Sequence, residues 1–279
     1  MESKRGFSSK VGEAFAFSHA VLSNPENIEL HFHDSYEIFW FIDGNAVYFV
    51  EGISYELAKN DIVITNMREL HAPMFRERNR YERKIITIKP TFLSAFVTDD
   101  FNPYSVFENR RPGHDNVIKA DSAKEHGLYD IFNKIESISG EKKPETSALI
   151  KAYLIEILIN MSKIVSRGSV NYTENPKVSE IIQYINKNLS SDLSGESLGK
   201  KFYMNNFYLS HLFKRQTGFS LGDYIIHKRI FKAQELLLDG IPASEIPDMV
   251  GFNDYSNFYR NFKKTTGLSP REFSKASRL

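Results

Sequence analysis

"LFKRQTGFS" runs from Leu212 to Ser220, and "NFKKTTGLS" from Asn261 to Ser269. Phe213, Lys214, Thr217, Gly218 and Ser220 of the first stretch return as Phe262, Lys263, Thr266, Gly267 and Ser269 of the second, while Arg215 gives way to Lys264. Near-identical wording at a fixed spacing marks one structural unit built twice. Each copy ends a segment with helical periodicity. Over 206–216, Leu209, Leu212 and Phe213 share one face at i, i+3, i+4, and Phe207, Ser210, His211 and Lys214 share the other. In the second copy Phe258 and Phe262 form the inward pair. Tyr255, Ser256, Tyr259, Arg260 and Lys263 point outward.

A shorter helical segment precedes each copy, so each unit reads as helix, turn, helix. "SGESLGKKF" (194–202) opens with a partial capping box, Ser194 to Ser197. Gly218 and Gly267 close their helices as residues able to adopt φ > 0. Gly251 sits where the chain must reverse, and Asn253 or Asp254 is placed to cap the following helix. Pro247 inside a helix would cost about 3 kcal/mol. The second short helix is therefore predicted to start late, with Ser244 as N-cap and Pro247 at its third position. A long helix, Tyr224 to Leu238, ends at Asp239-Gly240 and joins the two units.

The outward faces mix aromatic, hydroxyl and basic groups, which suits helices lying in a major groove among donors, acceptors and thymine methyls. On the DNA-facing side lie Asn206, Phe207, Ser210 and His211 in the first unit, and Tyr255, Ser256 and Arg260 in the second. Lys214, Arg215, Lys263 and Lys264 are placed for phosphates. A rigid helical joint would set the two heads in successive major grooves, about 34 Å apart on one DNA face.

The segment "GFNDYSNFYRNFKKTTGLSPREF", Gly251 to Phe273, resembles the signature of the AraC/XylS family of bacterial transcription regulators, and the upstream "YLSHLFKRQTGFSLGDYIIHKRIFKAQELL" resembles the first half of the same module. The resemblance implies two helix-turn-helix units sharing one promoter site, with RNA polymerase as a partner. It also marks two departures. Where the family usually has a small Ala in the first helix of each unit, this chain has Gly199 and Pro247. Gly199 fits sterically but weakens its helix by roughly 1 kcal/mol.

Composition agrees with two domains in a reducing compartment. The chain has 279 residues, 41% of them apolar, and no cysteine. That composition can bury real cores and excludes disulfides, thiolate metal sites and cysteine nucleophiles. "MESKRGFSSKVGEAF" has no apolar h-region, and the longest apolar run, "YLIEILINM" from Tyr153, is too short to span a bilayer. A cytoplasmic protein without a membrane partner is expected. Net charge is +1, but it is unevenly spread. From Pro176 to Leu279 there are 15 Lys+Arg and 10 Asp+Glu, net +5; the remainder has 21 against 25, net −4. A basic C-terminal part on an acidic body points to a polyanion partner for that part alone.

Residues 28–90 alternate short apolar runs with turn signals. "IELHFH", "YEIFWFI", "NAVYFV", "ISYEL", "DIVIT" and "KIITI" are predicted as strands, with turns at Asp43-Gly44, Glu51-Gly52 and Asn60-Asp61. Many short strands with close turns predict a sandwich or barrel. From Asp121 the period changes. "DSAKEHGLYDIFNKIESISG" carries Leu128, Ile131, Phe132, Ile135 and Ile138 at helical spacing. "PETSALIKAYLIEILINMSKIVSRG" starts at Pro144 and stops at Gly168 as a helix should, with apolar residues on more than one face. Its own β domain or a second copy of the chain would cover them.

The expected order is a β domain over 1–120, a helical dimerisation or linker segment over 121–167, a polar linker over 168–176 and a DNA-binding domain over 177–279. The fold class is thus a cupin-like all-β barrel, a helical linker and an all-α double helix-turn-helix.

"HFHDSYEIFWFIDG", His31 to Gly44, resembles the first motif of the cupin fold. The second cupin motif survives only in part: Asn60 stands for its turn glycine, His71 falls on its histidine, and Asn66, Arg68 and Phe75 replace its remaining residues. In metal-binding cupins such residues converge on Fe, Mn, Ni or Zn. By this resemblance His31, His33, Glu37 and His71 could hold a divalent transition metal. The alternatives are a metal-free pocket for a small organic effector, such as a sugar or related metabolite, and a packed relic. That pocket would be lined by His31, His33, Glu37, Phe39, Tyr48 and His71, with Trp40 possible as a further wall. The cationic run "FRERNRYERK" (75–84) reads as a solvated strand edge or loop.

These features predict an effector-responsive, non-enzymatic transcription regulator, an activator by family habit, acting as a homodimer on double-stranded promoter DNA. No cofactor is required by that reading. Two rivals stay open: a metal-dependent cupin enzyme or metal sensor fused to a DNA-binding module, and a constitutive DNA-binding protein whose β domain only oligomerises.

Overall fold

The computed structural model describes residues 14–26, 28, 30–77, 79–141, 143–165 and 175–276, together with the backbone of 3–7. The chain divides into a β-rich unit of residues 1–28 and 32–173 and a helical unit of residues 29–31 and 174–279. Gly168 and most of the expected 168–176 linker lie outside the described residues.

The β-rich unit contains β1 (Ser3–Phe7), β2 (Phe15–Leu22), β3 (Tyr36–Asp43), β4 (Ala46–Val50), β5 (Ile53–Glu56), β6 (Ile62–Thr65), β7 (His71–Phe75) and β8 (Tyr81–Ile88). After two short helices, α1 (Pro90–Ser94) and α2 (Ser105–Glu108), come β9 (Val117–Ile118), α3 (Ala120–Glu125), α4 (Leu128–Ile138) and α5 (Thr146–Val165). The strands form a six-stranded sheet, β1-β2-β8-β3-β6-β9, and a three-stranded sheet, β5-β4-β7. Every pairing is antiparallel.

β3 explains the layering. Alternation sends Glu37, Phe39 and Phe41 to one side and Tyr36, Ile38 and Trp40 to the other. Phe39 and Phe41 join Tyr48, Val50, Tyr55, Val63 and Tyr81 in a core between the two sheets. Ile38 and Trp40 join Phe132, Ile135, Leu154 and Leu158 in a second core beneath α4 and α5. Both faces of the strand are therefore covered, and its first six residues are all buried. The segment 121–165 packs on the sheet as part of this unit. α5 buries Ile150, Leu154, Ile157, Leu158 and Met161 and leaves Leu149 and Ile159 exposed.

Several expectations change. "IELHFH" forms no strand among its described residues; His31 makes only an isolated bridge. The run 75–84 divides: Arg76, Glu77, Asn79 and Arg80 lie in an exposed loop as expected, whereas Tyr81–Lys84 enter β8, which is paired on both sides by β2 and β3. Trp40 is turned away from the inter-sheet core. It stacks on Tyr129 (ring centroids 4.7 Å apart), and its Nε1 donates to Asn60 Oδ1 at 3.2 Å. Asn60 itself holds φ +70°, the left-handed conformation that Asn tolerates better than most residues.

The helical unit comprises α6 (Pro176–Lys187), α7 (Gly195–Phe202), α8 (Asn206–Thr217), α9 (Leu221–Leu238), α10 (Ile246–Val250), α11 (Tyr255–Thr266) and α12 (Pro270–Ala276). α7–α8 and α10–α11 are the two helix-turn-helix units, and α9 joins them. Asn205 caps α8 by accepting from Tyr208 N at 2.7 Å, and Asp254 caps α11 by accepting from Asn257 N at 2.7 Å. Ser194 does the same for α7, accepting from Ser197 N at 3.2 Å. Gly218 (φ +79°) and Gly267 (φ +76°) end α8 and α11 in left-handed geometry. The second short helix does start late, but one residue later than predicted: Glu245 is the N-cap, without a side-chain cap bond, and Pro247 is the second helical residue. Gly199 is also more than a tolerated weakness. A Cβ there would stand 2.6 Å from the Met204 carbonyl oxygen, so this turn is too tight even for Ala.

Candidate functional site

Two places gather the chemistry, one in each unit. In the β-rich unit, register places rows of side chains on the inner face of the large sheet. Thr65, Glu37, Thr87 and Ala16 form one row, and Val63, Phe39, Ile85 and Ser18 the next. Arg83 pairs with Phe41 in the row beyond. Tyr48 and His71 face these rows from the smaller sheet. Tyr48 donates its hydroxyl to Glu37 Oε1 at 3.0 Å, and its ring lies nearly parallel to His71, centroids 6.2 Å apart. His33 Nε2 donates to Glu37 Oε2 at 3.2 Å, and His71 Nε2 stands 4.0 Å from Glu37 Oε1. Arg83 lies over the rings of Phe39 and Tyr81 at 5.8 and 5.9 Å.

The electrostatics follow from this packing. Burial pushes the Tyr48 hydroxyl well above its ordinary pKa, and the neighbouring Glu37 charge and hydrogen bond add to that, so it stays a neutral donor. For His33, burial acts downward and is the largest single influence. The hydrogen bond and charge of Glu37, with the Ser35 carbonyl, more than reverse it, and the net direction is up. The inner face thus offers carboxylate, imidazole, phenol, hydroxyl and guanidinium groups beside aromatic walls.

The rings of His33 and His71 meet edge to face, centroids 5.0 Å apart. His33 Nδ1 donates to the Ser35 carbonyl and His71 Nδ1 to the Glu69 carbonyl, each at 2.8 Å. That anchoring fixes the direction in which His71 presents Nε2, as in many metal-ligating histidines, whereas His33 Nε2 donates to Glu37 and would ligate a metal only after losing that proton. His33, Glu37, Phe39, Tyr48 and His71 are therefore gathered, and Trp40 is not; His31 lies in the short stretch 29–31 that divides with the helical unit. Arg83, Thr65 and Thr87 were missed. The signal for Arg83 was its alternation with Tyr81 and Ile85, hidden because a charged run reads as solvated.

In the helical unit the outward faces are open. Asn206, Phe207, Ser210, His211, Lys214 and Arg215 of α8 are exposed, as are Tyr255, Ser256, Arg260, Lys263 and Lys264 of α11. Tyr259 is half-buried. The inward residues Leu209, Leu212, Phe213, Phe258 and Phe262 are all buried. Asn206 is partly engaged: its Oδ1 accepts from Ser210 Oγ at 3.3 Å and covers Gly195, where a Cβ would come within 2.0 Å of it.

Within the helical unit, a joint missed by sequence ties the two helix-turn-helix units together. Arg229 of α9 donates from Nε to the Leu189 carbonyl at 3.0 Å and from a terminal nitrogen to the Ser191 carbonyl at 2.9 Å. Its guanidinium also lies over Phe252, in the turn of the second unit, at 5.9 Å.

Residues 198–276 match a family model described as a helix-turn-helix domain, and residues 23–158 match one described as an AraC-like ligand binding domain. The chain belongs to the AraC family. An AraC-family relative, the Arabinose operon regulatory protein of Escherichia coli (strain K12), is 27% identical over 235 residues, 83% of this chain and 77% of that protein. The protein of the same name from Salmonella typhimurium is 31% identical over 158 residues; this match covers 56% of each chain, so it spans little more than half of that relative. The HTH-type transcriptional activator RhaR of Mannheimia succiniciproducens is 22% identical over 258 residues, 88% of this chain and 86% of its own. By their names all three are regulatory proteins. Among the described residues, no helix is long and apolar enough to cross a membrane.

Proposed function

We propose that this AraC-family chain binds promoter DNA through its two heads and that a small polar metabolite bound between the β sheets controls that binding. The exposed aromatic and basic faces of α8 and α11 carry the reading, since each is held by a side-chain cap at one end and a left-handed glycine at the other. The inner row of Glu37, Thr65 and Thr87, with Tyr48, Arg83 and aromatic walls, suits a sugar or a similarly hydroxylated molecule. The effector must bind the DNA-competent and incompetent arrangements with different affinity, because a ligand indifferent to the two shifts nothing. The exposed Leu149 and Ile159 of α5 favour a homodimer, and RNA polymerase is the partner through which promoter binding acts.

Arg260→Ala is expected to weaken specific binding by about 1–3 kcal/mol and relax preference at one base pair. Lys263→Ala is expected to weaken all sequences alike and lower the salt slope by about 1. Fluorescence anisotropy on promoter fragments at several salt concentrations separates the two effects. If both variants bound like the parent, the recognition faces would be misassigned.

The contact of His33, Glu37 and His71 favours a second reading of the β site. These three, with His31 as the cupin resemblance implies, would hold a transition metal; the nitrogen-rich set suits Fe, Mn, Ni or Zn. When bound it would supply a Lewis-acid anchor for an effector's oxygen atoms. Elemental analysis of protein purified without chelator checks this. About one equivalent of metal per chain, lost in His33→Ala/His71→Ala, is the expected result for a metal site, and less than about a tenth leaves an organic pocket.

A further inference from the structure

The two heads are built alike but present different chemistry at matching positions. With Asn205 aligned to Asp254 as caps, Phe207 falls on Ser256, Ser210 on Tyr259, His211 on Arg260 and Lys214 on Lys263. The first head thus offers a phenyl ring and an imidazole where the second offers a hydroxyl and a guanidinium. Phe207 is 82% exposed, in the first turn of α8. Its ring lies at 21° to that of His211, centroids 6.3 Å apart, so the two rings stand nearly parallel on the outward face. Lys214 and Arg215 lie exposed at the far end of the same helix.

That ring takes no part in the buried core of the helical unit and stays in water in the folded chain. The first turn of a recognition helix is the part that meets base edges. The thymine C5 methyl is the one apolar group those edges present in the major groove. The cations at the far end of the helix are suited to backbone phosphates. Resting on the promoter-binding reading above, we propose that Phe207, backed by His211, is the thymine-reading group of the first head, so that its half-site is selected for a methyl group. The second head, with Arg260 at the His211 position, selects a guanine edge instead.

The test uses the full chain. Binding sequences are first enriched from a random duplex library, and each thymine of the enriched site is then replaced singly by deoxyuridine, which deletes only the methyl. The expected result is one position in one half-site where deoxyuridine weakens binding about four-fold, the effect of exposing one methyl-sized group. Phe207→Ala should bind with the parent's salt slope yet be indifferent to deoxyuridine there, and Phe207→Leu should keep part of the sensitivity. A scan in which the parent and Phe207→Ala respond alike at every position overturns the inference while leaving sequence-specific binding intact. Failure to enrich any sequence overturns the promoter-binding reading itself.

Discussion

Arg110→Met is expected to destabilise the β-rich unit by about 3–5 kcal/mol, the cost of leaving a buried charge without its partner. Glu69 and Arg110 are almost wholly buried, and two guanidinium nitrogens meet the two carboxylate oxygens at 2.6 Å each. The carboxylate also accepts from Asn66 N at 2.9 Å, Gly113 N at 2.8 Å and Asn116 Nδ2 at 3.1 Å. Arg110 in turn donates to the Ile64 and His114 carbonyls. The network pins residues 110–116 across the end of the large sheet. Lysine would not rescue it, because one ammonium cannot make the two parallel bonds of a guanidinium. The chain's single tryptophan, Trp40, is buried against α4 and reports this unit alone. Urea unfolding followed by its fluorescence gives the change directly. A loss below about 1 kcal/mol, the scale of an ordinary hydrogen bond, would mean the pair is dispensable.

The second large effect belongs to the joint between the heads. Gly251 has φ +88°, and a Cβ there would stand 2.4 Å from the Leu189 carbonyl oxygen and 2.8 Å from the Arg229 guanidinium. Gly251→Ala therefore meets two costs. The left-handed backbone costs about 1–2 kcal/mol, and forcing a methyl into filled space adds about 1–3 more. The added methyl also displaces Arg229 from Leu189 and Ser191, the contacts that tie the second head's turn to the first head's entry. Gly267 is the natural control. Its φ is +76°, yet nothing lies within 4 Å of a Cβ there. Gly267→Ala should therefore lose only the backbone part, about 1–2 kcal/mol. Far-UV circular dichroism melts, with Trp40 fluorescence marking the β-rich unit's share, compare the two. Equal losses would show that the close approach at Gly251 relaxes freely and that Arg229 is no latch.

The sequence by itself determined the double head, including several of its caps, its inward residues and its outward ones. Those features are local. A cap is settled by a side chain and the backbone two or three residues on, and a helix face by i, i+3, i+4 spacing, so Ser194, Gly218 and Gly267 could be read without a fold and Asp254 narrowed to one of two residues, while Asn205 and Glu245 were not singled out. It also determined that Glu37, Phe39 and Phe41 share a face, because strand alternation is equally local.

Only the tertiary structure decided which face that was. Both sides of β3 are buried, so its residues carry no polar-to-apolar contrast, and the partner on each side had to be seen before Trp40 could be placed under α4. The same holds for Arg83 and Lys84. They are neighbours in one charged run, yet Arg83 faces the inner rows while Lys84 bonds Glu136 and Asn133 of α4 at 2.8 and 2.6 Å. Glu69 finds Arg110 across 41 residues, and Arg229 finds Leu189 across 40. Such pairs leave no periodic trace, because their energy comes from desolvation and geometry that exist only once distant segments have closed around them.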